Sequence, residues 1–211
     1  METVLINIVI IFIIFIFSFT VSTIIHEFGH YITARLFGII PKEFIIGSKF
    51  KFLKKFNKLR EYNKFGTNFI FNPFSTSGYV EGKDCLEKLS KFKMILVIFA
   101  GPLFNLLLAF ILLNYVYFMY SESNDSLQEN ILTFLNFAQV NIKVFFEIPI
   151  FGLSSISLLL TIFLIYINIF EFFINLFPIK TTDGYLILKR FSDNIISENL
   201  NSELRESLIS K

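Results

Sequence analysis

Three stretches of the chain carry no charged residue: Val4 to Ile25, Met94 to Tyr120 and Ile148 to Phe170. About 20 apolar residues take a helix across a bilayer core, so each stretch is long enough to span. None shows the polar face expected of a helix in a soluble core. The pattern predicts spans at about 4–34, 92–120 and 150–178. Only Met1, Glu2 and Thr3 precede the first stretch, and no small-x-small cleavage site follows it, so a retained span is expected rather than a signal peptide. Between the first two spans the rhythm changes. "KFKFLKKF" and "TNFIFNPF" alternate as β-strands do, with the polar, basic Asn57 to Lys64 reading as the turn of a β-hairpin region at 41–82. Residues 130–148 are apolar but contain Lys143 and Glu147, which points to an interfacial helix rather than a fourth span. An amphipathic tail helix is expected over 184–208.

Composition agrees with a membrane protein: 54% of the 211 residues are hydrophobic and 30 are phenylalanine. The length fits a single domain. One cysteine, Cys85, excludes an internal disulfide. A net charge of +2 gives no reason to expect nucleic acid as a partner. How the charge is distributed is more informative. Of 19 Lys and Arg residues, 13 lie between Arg35 and Lys93, only Lys143 lies between residues 121 and 147, and five follow Pro178. The positive-inside rule then expects the N-terminus outside, residues 35–93 in the cytosol, 121–147 outside and the tail in the cytosol. A basic segment on that side also favours contact with an anionic leaflet of the lipid bilayer.

Both histidines of the chain, His26 and His30, stand at the end of the first span in "HEFGH". Residues four apart on a helix share a face, about 5–6 Å apart at Cβ, and two imidazoles so placed can grip one metal ion. Glu27, beside the first, is the general base of the H-E-x-x-H arrangement found in zinc peptidases. Held in such a site, a metal lowers the pKa of a water, and a neighbouring carboxylate can take its proton and later pass it to a leaving amine. Ionisable groups at the end of a long apolar helix are costly and usually functional. A tetrahedral catalytic site needs a third protein ligand and an open position. With no further histidine in the chain, a carboxylate is expected. Asp183 in "NLFPIKTTDGYLIL" is a candidate, because Pro178 ends the last span close by. On its own Asp183 reads better as the cap of the following helix.

Taken together these segments resemble the site-2 proteases, intramembrane zinc metalloproteases of peptidase family M50. "HEFGH" matches the zinc motif, "NLFPIKTTDG" is similar to Asn-x-x-Pro-x-x-x-x-Asp-Gly, "AGPLFN" (Ala100 to Asn105) to Ala-Gly-Pro-x-x-Asn, and "SGYVEG" (Ser77 to Gly82) to a Gly-Gly-Tyr-Val loop. The resemblance implies a minimal three-span α-helical core with a membrane-associated β-hairpin on the cytosolic side. It also implies Zn2+ held by His26, His30 and Asp183, Glu27 as acid/base, and Gly78 and Tyr79 near the substrate. Lys180, Thr182 and Ser77 depart from the family's usual Pro, Leu and Gly, and no sensor domain of the PDZ type fits between the second and third spans.

The last span adds a polar face. Asn168, Glu171, Asn175 and Pro178 follow at helical spacing, and a polar stripe within a span should face protein or water rather than lipid. The expectation is that this face lines a substrate channel, with Asn175 bonding an extended peptide and Glu171 and Asn168 beside it. The expected function is peptide-bond hydrolysis within or next to the spans of small single-span proteins, signal-peptide remnants or peptide precursors, with an upstream site-1-type protease as a possible partner. The alternative is a non-catalytic membrane chaperone or metal-handling subunit of a peptide export system.

Overall fold

The computed structural model describes residues 2–47, 60–71, 78–81, 89–120 and 153–192. Three long helices dominate: α1 (Glu2–Leu36), α2 (Lys91–Tyr120) and α3 (Leu153–Leu176). All three are long and apolar enough to cross a membrane. Large apolar side chains such as Phe12, Phe110, Ile111, Phe170 and Phe173 stay exposed on their outer faces, as lipid-facing positions do. Inside, Val116 of α2 meets Leu158, Ile162 and Ile165 of α3. Ile14 of α1 meets Leu159 of α3. These contacts draw the three helices together along one seam.

Helix α1 runs for 35 residues, about 50 Å at 1.5 Å per residue, so one end passes well beyond a core of about 30 Å. Gly38 ends it, with φ of 81°. Its amide bonds the Arg35 carbonyl at 2.9 Å and the Ile39 amide bonds the Ala34 carbonyl at 3.0 Å, the two bonds of a Schellman cap. Beyond this cap lies a small sheet of β1 (Glu43–Ile46), β2 (Arg60–Lys64), β3 (Thr67–Phe71) and β4 (Gly78–Glu81), in the order β2-β3-β1-β4. Strand β1 runs parallel to β3 and antiparallel to β4. One face of the sheet sits on α1: Phe44, Ile46, Phe69 and Val80 pack around Tyr31.

The expectation of a hairpin turn at Asn57 to Lys64 is corrected here. Residues 60–64 form strand β2, paired in register from Arg60↔Phe71 to Lys64↔Thr67, and the turn is Phe65–Gly66. Among the described residues β2 is an edge strand, which tolerates the polar segment "REYNK", and the absence of apolar alternation makes that segment read as a loop. Phe65 and Gly66 both have positive φ, 54° and 78°, as a two-residue hairpin turn of this hand requires. Phe69 lies with its ring centroid 5.5 Å from Tyr31 and 5.4 Å from Phe44. The other predicted strand, 49–56, lies outside the described residues, as do Cys85 and residues 130–148. Of the expected tail helix, residues 183–192 are helical and the rest lies outside the described residues.

Candidate metal centre

The site forms where the sheet end of α1 meets α2 and the turn after α3. His26 and His30 point to the same place, their Nε2 atoms 3.1 Å apart. Asp183 Oδ2 lies 3.1 Å from His26 Nε2 and 3.3 Å from His30 Nε2. Three donors bound at about 2.0–2.1 Å with tetrahedral angles stand about 3.3–3.4 Å from one another. The observed triangle is close to that. Asp183 Oδ2 is buried and has no well-directed hydrogen-bond partner, and it stands with the two ring nitrogens as one group of three donors able to hold a metal ion. Burial would push the Asp183 carboxyl up, but the two imidazoles beside it outweigh that and hold it at about 2, leaving a carboxylate at neutral pH. Two imidazoles and a carboxylate are a donor set that suits zinc.

Glycines allow the close approaches that build this triangle. A Cβ on Gly29, between the two histidines, would stand 2.5 Å from the Ala100 carbonyl oxygen, so α1 and α2 meet backbone to backbone. That contact brings the Val97 carbonyl within 2.8 Å of His30 Nδ1, which donates to it and leaves Nε2 free as a ligand. It also places Gly101 under the rings, where a Cβ would collide with His30 and lie 2.8 Å from His26 Nε2.

Asp183 reaches the histidines because the chain reverses after α3. Pro178 cannot continue the helical hydrogen bonds. The Thr182 amide bonds the Ile179 carbonyl at 2.8 Å, and its hydroxyl, facing the carbonyls of Phe177 and Ile179, ties down the turn. A Cβ on Gly184 would strike the Leu176 carbonyl, so the residue after Asp183 must be small. Thr182→Val removes the hydroxyl and keeps the shape. The expected cost is about 0.5–1.5 kcal/mol in holding Asp183 in place, read as a weaker zinc affinity in chelator competition with no change in helix content.

Glu27 is buried beside this centre and projects toward the sheet. A Cβ on Gly78 of β4 would lie 2.6 Å from Glu27 Cγ, so the edge strand touches the carboxylate's side chain. Tyr79 follows in β4, its backbone paired with Ile45. The polar residues of α3 are placed differently from the donor triangle. Asn168 is fully buried and Glu171 nearly so. Ser22 Oγ of α1 lies 2.9 Å from Asn168 Oδ1 and 2.7 Å from Glu171 Oε2. The Asn175 amide donates to the Glu171 carbonyl one turn back, at 3.0 Å.

Several residues at the site were not singled out as functional in the sequence. Asn105, fully buried, sits with Nδ2 2.9 Å from Glu171 Oε2 and 3.3 Å from His26 Nδ1. Gly101 and Asn105 are four apart in α2, and Ser18, Ser22, His26 and His30 recur every four residues along α1. Those two spacings were the available signal.

A H-E-x-x-H helix completed by a distant carboxylate, built at one end of three membrane-length helices, defines a membrane-embedded metallopeptidase fold. Comparison with known proteins agrees. The sequence profile of Peptidase family M50 matches residues 14–210. The chain is 35% identical over 101 residues to "Putative zinc metalloprotease Cj1068" of Campylobacter jejuni, covering 41% of this chain and 26% of that protein. It is 33% identical over 134 residues to a "Putative zinc metalloprotease" of Borreliella burgdorferi, covering 51% of this chain and 29% of that protein. The matched segments thus span less than a third of either relative. The chain belongs to peptidase family M50, a multi-pass membrane family whose cofactor is Zn2+.

Proposed function

We propose that this chain is an intramembrane zinc endopeptidase of the site-2 protease type, cutting peptide bonds within or next to membrane spans. The observation that carries the reading is the triangle of His26, His30 and Asp183 donors with Glu27 beside it. Zn2+ held by these three residues supplies Lewis acidity toward a peptide carbonyl and a more acidic water. Glu27 takes a proton from the attacking water and passes it to the departing amine nitrogen. The water oxygen joins the carbonyl carbon, the C–N bond breaks, and a carboxylic acid and an amine leave.

A helical substrate hides its amide bonds, so it must be held extended. Among the described residues strand β4 is an edge of the sheet, and it touches Glu27 through Gly78, which suits it to pair with an unwound peptide by main-chain bonds. Tyr79 and Asn175 are the further residues proposed to meet that peptide. The substrates proposed are small single-span proteins, signal-peptide remnants or peptide precursors, trimmed beforehand by a site-1-type protease where they carry large outer domains. The charge distribution supports a cytosolic placement of the sheet and C-terminus, with the N-terminus outside.

The test uses the full chain in proteoliposomes with a single-span reporter. Cleavage that stops on chelation and returns with added zinc is expected. Zinc binding without cleavage of the reporter or of unfolded protein contradicts the reading and favours a non-catalytic chaperone or metal-handling subunit.

A further inference from the structure

Asp183 is fixed to the end of α3 as part of one short, stiff unit. The turn that carries it is closed by Thr182, whose hydroxyl faces the carbonyls of Phe177 and Ile179, and Gly184 packs directly on the Leu176 carbonyl. The Asn175 side chain adds a bond within the helix end, from Nδ2 to the Glu171 carbonyl at 3.0 Å. Where Asp183 stands relative to His26 and His30 therefore depends on how α3 is turned about its own axis. Packing of Ile162 and Ile165 on Val116 brings one side of α3 inward, but apolar contact is non-directional and tolerates small rotations. Hydrogen bonds have a direction and a narrow range of length.

Such bonds meet at Glu171. Its Oε2 accepts from Ser22 Oγ of α1 at 2.7 Å and from Asn105 Nδ2 of α2 at 2.9 Å. One oxygen of α3 is thus held by both of the other long helices. The same Ser22 hydroxyl lies 2.9 Å from Asn168 Oδ1, and Asn168 is oriented by its own helix through Nδ2 and the Leu164 carbonyl at 2.7 Å. All four side chains are buried. The joint stands against the metal centre: Ser22 is four residues before His26, and Asn105 Nδ2 is 3.3 Å from His26 Nδ1. Burial and these two bonds turn Glu171 toward its own protein rather than toward an open channel.

We propose that Glu171 is a positioning residue for the metal centre: by joining α3 to Ser22 and Asn105 it sets the rotation of α3, and with it the place where Asp183 meets His26 and His30. It does not bind the substrate. The proposal rests on the metallopeptidase reading and deepens it, naming the contact that assembles one centre from three separate helices. Position 171 needs only an acceptor oxygen for this, so an amide can serve where the carboxyl stands. Removing the side chain leaves the Ser22 hydroxyl and an Asn105 N–H without that acceptor in a buried place, and frees α3 to turn.

The test measures zinc affinity of the full chain by chelator competition in detergent, and kcat and KM on a single-span reporter in proteoliposomes. Glu171→Ala is expected to weaken zinc binding about 10-fold, as loss of a group that orients metal ligands does, and to cleave with an unchanged KM once zinc is saturating. Glu171→Gln should bind zinc as the wild type does. Should Glu171→Ala fail to fold, Ser22→Ala removes one of the two bonds and little volume, and should weaken zinc by roughly a few-fold. A raised KM with wild-type zinc affinity would make Glu171 a substrate contact and overturn the proposal. So would a lower melting temperature with zinc affinity unchanged, or Glu171→Gln failing as badly as Glu171→Ala. If wild type holds zinc but cuts no peptide, the peptidase reading falls, while the zinc affinities of the variants still decide whether Glu171 positions Asp183.

Discussion

Glu27→Gln is expected to slow peptide hydrolysis by about 10²–10⁴-fold, the usual contribution of a positioned acid/base, while zinc remains bound. The amide has the shape of the carboxylate but cannot take a proton. Shape matters here because Gly78 lies so close that its Cβ would come within 2.6 Å of Glu27 Cγ, leaving little space for rearrangement. Glu27 is not one of the three converging donors, so the variant should retain the ion. Metal analysis of the purified variant beside a reporter cleavage rate separates the two effects. Loss of zinc together with activity would mean that Glu27 shapes the metal site rather than moving protons.

Gly101→Ala is expected to weaken zinc binding by about 100-fold, at the upper end of what a perturbed ligand surrounding costs. The added Cβ meets His30 and His26 ring atoms rather than the ends of flexible chains. Neither ring is free to retreat. His30 is tied to the Val97 carbonyl, and both lie against Asp183. Nor can α2 back away readily, since its Ala100 carbonyl already touches the Gly29 position of α1. Chelator competition measures the effect, with circular dichroism in detergent confirming that the helices persist. Near-wild-type affinity would show that the α1–α2 contact is looser than the distances imply.

The parts legible in the sequence are those governed by local period and by strong motifs. The uncharged runs set the three helices to within a few residues, because few other arrangements satisfy so many apolar positions in a row. His26 and His30 share a face by helical spacing alone. Asp183 became a candidate through the break at Pro178, and the turn that delivers it depends on Thr182, whose hydroxyl role no local pattern announces. Strand β2 was hidden because an edge strand need not alternate. Asn105, Ser22 and Glu171 each show in the sequence as a polar residue on an apolar helix, but spacing gives the face of a helix and not what it looks at. The rotation of α3 that turns Asn168 and Glu171 onto Ser22 is set by packing such as Ile162 and Ile165 on Val116, which no single segment contains.

The most direct test of the central claim compares peptide termini in cells carrying the wild-type chain and cells carrying Glu27→Gln, mapped in membranes and medium. New termini within or beside membrane spans that are present with wild type and lost in Glu27→Gln are the expected result, and they name the substrate. Identical maps, in cells where the wild-type protein is made and holds zinc, would contradict a peptidase.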